Sequence, residues 1–82
     1  MQEVIIKLVN ILQDKFEVPV KTGGENVLMK RTDIEMIVNI YWDKEKNWES
    51  LNLIEALEYL KIPSFINDSF QTVYILKSKV SF

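Results

Sequence analysis

A chain of 82 residues without a cysteine has only its own packing to hold it together. No disulfide staples it and no thiolate is there to bind zinc, so nothing points to an oxidising compartment. A single domain of this length, residues 1–82, buries only about 60 to 65% of the surface its unfolded chain exposes. Stability must come from the 48% of residues that are apolar, and a surplus of them is expected to remain near the surface.

The arrangement of those residues predicts the elements. From Val4 to Phe16, Ile5, Leu8, Val9, Leu12 and Phe16 recur at steps of three and four opposite a polar stripe of Glu3, Lys7, Asn10 and Asp14, which is a helical period. Val4, Ile6 and Ile11 widen that apolar face beyond what one small sheet covers, so either the helix is covered from two sides, one of them by a partner, or Ile6 and Ile11 stand half-exposed at its margin. Val18-Pro19-Val20 reads as a short edge strand, because proline cannot donate to a ladder, and Thr22-Gly23-Gly24-Glu25 as a turn holding the only two glycines. Those glycines are not a phosphate loop, since no Lys-Ser/Thr pair and no helix follows them.

Asn26 to Lys30 and Ile34 to Trp42 then read as two strands around a turn at Arg31-Thr32-Asp33. In the second, Ile34, Met36, Val38 and Ile40 alternate with Glu35, Ile37, Asn39 and Tyr41, which places the first set towards the core. The charged run from Asp43 to Asn47 is a solvated loop, with Asn47 and Ser50 as candidate N-caps for a helix from Trp48 to Lys61 that Pro63 closes. Asn67-Asp68-Ser69 is a turn. Phe70 to Lys77 alternates once more, with Phe70, Thr72, Tyr74 and Leu76 on one side, and the strand is expected to run on through Val80 to Phe82. The order α-β-β-(β)-α-β gives an α+β fold, two helices packed on one face of a small, mostly antiparallel sheet of three to four strands.

The same composition excludes much chemistry. No histidine is present, which removes the commonest general base near neutral pH and the most frequent transition-metal ligand. Asp33, Glu35, Asp43, Glu45 and Glu49 are the carboxylates a Mg²⁺ site would need, yet each lies beside a lysine or in a loop, as solvated surfaces do. No catalytic residue, no metal ligand and no cofactor is assigned, and the chain reads as a non-enzyme.

A net charge of −2 with a single arginine argues against a duplex nucleic-acid binder. Lys30, Arg31, Lys77 and Lys79, with Phe70 and Tyr74 among them, form the one patch a single strand would use, against the alternative of lysines guarding a sheet edge. The N-terminus lacks a basic leader and the apolar runs are short, so neither signal peptide nor membrane span is expected and the compartment is the cytoplasm. Trp42 and Trp48 flank the charged loop beside Tyr41, the composition of a protein-binding hot spot and equally of a loop pinned to a core. With Ile6 and Ile11 they are the candidate contacts for another protein or for a second copy of the chain.

The passage Ile37-Val38-Asn39-Ile40-Tyr41-Trp42-Asp43-Lys44, followed by the helix from Ser50 to Leu60, resembles the strand, tryptophan and helix of small tail-completion or tail-terminator proteins of tailed phages. The resemblance implies a non-catalytic ring subunit that contacts tail-tube and connector proteins, in the host cytoplasm or the virion. The expected function is thus a protein-interaction module, in its most concrete form a phage structural component. The alternative is a small inhibitor that blocks a host defence enzyme, and the third reading is a single-strand binder.

Overall fold

The computed structural model describes residues 2–18, 26–43 and 45–78. Its elements are α1 (Glu3–Lys15), β1 (Val27–Lys30), α2 (Arg31–Tyr41), α3 (Ser50–Tyr59), β2 (Ser64–Ile66) and β3 (Thr72–Leu76). The strands form one antiparallel sheet in the order β1-β3-β2, with Val27 opposite Leu76, Lys30 opposite Val73, and Phe65 also opposite Val73. This is the expected α+β class, helices packed against a small antiparallel sheet. The edge strand around Pro19, the glycine turn and the extension from Val80 to Phe82 lie outside the described residues.

Residues 34–41 are a correction. They were expected as a strand and are the body of α2, so the fold has three helices among the described residues rather than two. Apolar residues at 34, 36, 38 and 40 satisfy a period of two, but those at 34, 37, 38 and 41 satisfy the helical period equally well. Local polar groups decide between them. The Asp33 carboxylate accepts the Lys30 backbone N–H at 3.2 Å, occupying a donor that a helix start leaves free, and Arg31 pairs with Glu35 one turn on at 3.1 Å. As a result Ile34 and Val38 are buried, whereas Met36 and Ile40, expected in the core, are 67% and 75% exposed.

α3 starts one residue from a predicted cap. Its N-cap is Glu49, whose backbone N–H donates to Asn52 Oδ1 at 2.8 Å. It ends by a Schellman arrangement in which Ile62 N–H reaches the Leu57 carbonyl and Lys61 N–H the Glu58 carbonyl. Lys61 takes the left-handed conformation there, φ 54°, in the position glycine usually holds. The strand β2 follows directly, too short for its alternation to register in the sequence.

One core joins all layers. Ile5, Leu8, Leu12 and Phe16 of the first helix and its C-cap meet Ile34 and Val38 of α2, Leu53 and Leu57 of α3, and Tyr74 and Leu76 of β3. After α1 the chain turns alongside the end of β3, with Glu17 N–H on the Lys77 carbonyl at 2.8 Å. Leu28, Val73, Ile75 and Phe65 sit on the sheet's other face, outside that core. No helix among the described residues is long and apolar enough to cross a membrane.

Candidate functional site

The five residues expected at a protein interface separate into three places. Trp42 and Trp48 are in the core, the second 3% exposed, with ring centroids 6.1 Å apart and planes inclined at 54°. They anchor the two ends of the charged loop in the core instead of presenting a surface, which corrects their assignment as exposed contacts. Two ammonium groups seal the pair from outside: Lys7 lies 4.4 Å from the Trp42 ring centroid and Lys46 4.5 Å from that of Trp48. Lys7 also closes on Asp43 at 2.6 Å, so the loop is held to α1 by charge as well as by the rings.

Ile11 and Tyr41 do come together. They line an open groove between α1 and the end of α2, where the Lys15 ammonium lies 4.1 Å over the Tyr41 ring. A hydrogen bond from Lys15 to the Asp14 carboxylate holds that ammonium above its ordinary range. Ile6 is not part of this groove: at about 100° per residue it stands some 140° around α1 from Ile11, on the opposite flank of the buried row.

Apolar residues assigned to no interface lie exposed on several elements, Leu28 on β1, Leu51 on α3 and Ile66 on β2, and two more, Met36 and Ile40, stand one turn apart on α2. At the same 100° step, an arc apolar except for its first turn runs from buried Ile34 through Tyr41 and Ile37 to Ile40 and Met36, while Glu35, Asn39 and Thr32 occupy the other side. Asp33 enters the arc only at the first turn. The signal was present as the helical period of residues 34–41, hidden by the competing alternation.

A second place is built where β1 passes into α2. Lys30, Arg31 and Thr32 form one wall of a cleft of about 300 Å³, and Phe70, Gln71 and Thr72 the other, over a floor of Ile54 and Tyr74. The outer wall exists because of the β2–β3 turn. Asn67 Oδ1 accepts the N–H groups of Ser69 and Gln71, both at 2.9 Å, and this Asx turn drives Phe70 to φ 59° with its side chain 91% exposed. Phe70 was expected on the same strand face as Tyr74 and Leu76; the turn breaks that parity before β3 begins.

Of the predicted basic patch, the fold therefore joins Lys30 and Arg31 to Phe70 and Tyr74. Lys77 is separated from them, because antiparallel register sets it four residues along β3 from the position opposite Lys30, about 13 Å away. It faces Glu17 at 3.6 Å. Lys79 lies outside the described residues. Burial raises the Tyr74 hydroxyl above its ordinary 10.0, the Glu58 charge raises it further, and Arg31 works against both. The hydroxyl thus stays a proton donor through the physiological range.

Three of the five carboxylates considered for Mg²⁺ are engaged elsewhere. Glu35 takes Arg31, the Ser50 hydroxyl at 3.0 Å and Lys46 at 3.7 Å; Asp33 holds the start of α2 and Asp43 holds Lys7. No group of three metal-ligating side chains occurs among the described residues. No family model, curated protein or solved structure matches the chain.

Proposed function

We propose that this chain is a non-catalytic protein-interaction module of the cytoplasm that docks through the outer arc of α2. The observation that carries the reading is the pair Met36 and Ile40, one turn apart on an 11-residue helix and both largely exposed. Among the described residues neither belongs to the core cluster. Their contact with water costs roughly 25 cal/mol for each Å² of apolar surface left uncovered, a cost that a partner removes. The arc continues through Tyr41 into the groove with Ile11, so a partner ridge laid along α2 would reach an apolar floor bordered by charges of both signs. The passage that resembles phage tail-completion proteins is helical up to Tyr41, so the strand of that resemblance is absent; the module itself is proposed, with no assembly attached to it.

The double variant Met36→Glu, Ile40→Glu tests this. It should keep the wild-type melting temperature, since neither side chain is in the core, and lose the association that the wild-type chain shows in light scattering or in crosslinking to a recovered partner. A wild-type chain that is strictly monomeric and crosslinks to nothing, or a double variant that retains every wild-type contact, would refute the reading.

A further inference from the structure

The cleft at the start of α2 combines features that α2 docking does not use. Lys30 has no carboxylate partner among the described residues, and the terminal nitrogens of Arg31 make no hydrogen bond there, since only Nε is engaged with Glu35. Tyr74 lines the cleft, is 9% exposed, and its hydroxyl makes no hydrogen bond among the described residues. The ring is thus packed while the hydroxyl is not among the buried unpartnered atoms, so it stays open to a ligand in the cleft. Across from the two cations stands the Phe70 ring, held in water by a backbone conformation that disfavours any residue with a Cβ.

We propose that this cleft binds a nucleotide unit, with its phosphate taken by Lys30, Arg31 and the Tyr74 hydroxyl and its base stacked on Phe70. Cations and a hydroxyl donor answer the anion; the exposed ring answers a flat partner, which the carboxylate of an acidic peptide does not supply. Acids share the neighbourhood, and Lys30 is the cation there without a carboxylate partner among the described residues. Asp33 and Glu35 are engaged as described, and Glu58 is the acid whose field reaches Tyr74. The site is small enough for one or two units, supplied either as a free mononucleotide or within a single strand.

The experiment uses the full chain, with fluorescence anisotropy of a labelled eight-residue oligothymidylate in one arm and equilibrium dialysis of adenosine monophosphate in the other. Saturable binding is expected in at least one arm. Preference for the oligonucleotide identifies a strand as the source, and equal affinity identifies the free nucleotide. If the strand lays two phosphates in the cleft, its affinity should fall about sevenfold between 50 and 200 mM salt. Phe70→Gly should weaken binding at least about fivefold while leaving the melting temperature no lower, because it removes the stacking face and relieves the backbone together. Lys30→Ala should weaken binding and flatten the salt dependence. The proposal is overturned if neither probe binds at 50 mM salt, if both variants bind as wild type, or if a hexaglutamate peptide displaces the probe as well as unlabelled nucleotide does. The Met36→Glu, Ile40→Glu variant should bind the probe unchanged, which keeps this site separate from the α2 surface.

Discussion

α1 and α2 are both amphipathic helices of the same small core, yet they end their apolar faces differently. In α1 the wide face is largely consumed: Ile5, Leu8, Val9 and Leu12 are buried, and Val4 and Ile11 pack at the core margin. In α2 only Ile34 and Val38 are fully buried, and the face runs on into solvent at Ile40 and Met36. The difference follows from position. Each packs on the other two helices, but α2 also leans on β1 and β3, and its Met36–Ile40 side is left exposed. An excess of apolar residues on a helix therefore marks a surface only when the neighbours are known.

The contrast breaks first at the buried rows, where the two helices should behave alike. Leu12→Ala and Ile34→Ala should each cost about 2–5 kcal/mol in urea unfolding, and a much smaller loss at Ile34 would show that α2 is only loosely docked. Next comes the helix start on which the identity of α2 depends. Asp33→Ala should cost about 0.5–1 kcal/mol and lower the far-ultraviolet helix signal on warming; an unchanged melt would remove the local group credited with choosing helix over strand.

Below that lies a pH effect at the strand that α2 covers. The unfolded chain titrates Tyr74 near its ordinary value of 10.0, and burial raises it in the folded state. The stability gained by keeping the hydroxyl protonated is therefore complete below about pH 10 and is lost as pH rises through the folded value. Relative to a Tyr74→Phe variant, the wild-type melting temperature should drop between pH 9 and 11, and parallel curves would contradict the assignment. Smallest of all is the exposed arc: Met36→Gln and Ile40→Gln should each stay within about 0.5 kcal/mol of wild type, and a larger loss would place these side chains against something the fold itself provides.

How far the sequence carries can be judged on these same elements. α1 was legible because its apolar residues fit only one period, and α3 and β3 because proline and turn residues bound them. Residues 34–41 fit two periods at once, and hydrophobic pattern alone has no means of choosing; Lys30, Asp33 and the Arg31–Glu35 pair did carry the choice. β2 spans three residues, less than an alternation needs. The cleft was half visible, since Lys30, Arg31, Phe70 and Tyr74 were singled out. Its closure depended on antiparallel register and on an Asx turn that reorients Phe70, neither of which residue spacing reports.

The packing of Trp42 on Trp48 gives the protein an optical consequence. The chain has two tryptophans and both are in this one contact, so its indole emission and the coupled signal of two rings 6.1 Å apart report on residues 42–49 and on α1 through Lys7, and on little else. A partner in the α2 groove, which Lys7 also lines, would reach the Trp42 ring, and release of the loop would shift the emission to the red. Fluorescence on this molecule is a gauge of one joint, and a melting curve followed by it should be set beside one followed by circular dichroism before either is taken to describe the whole.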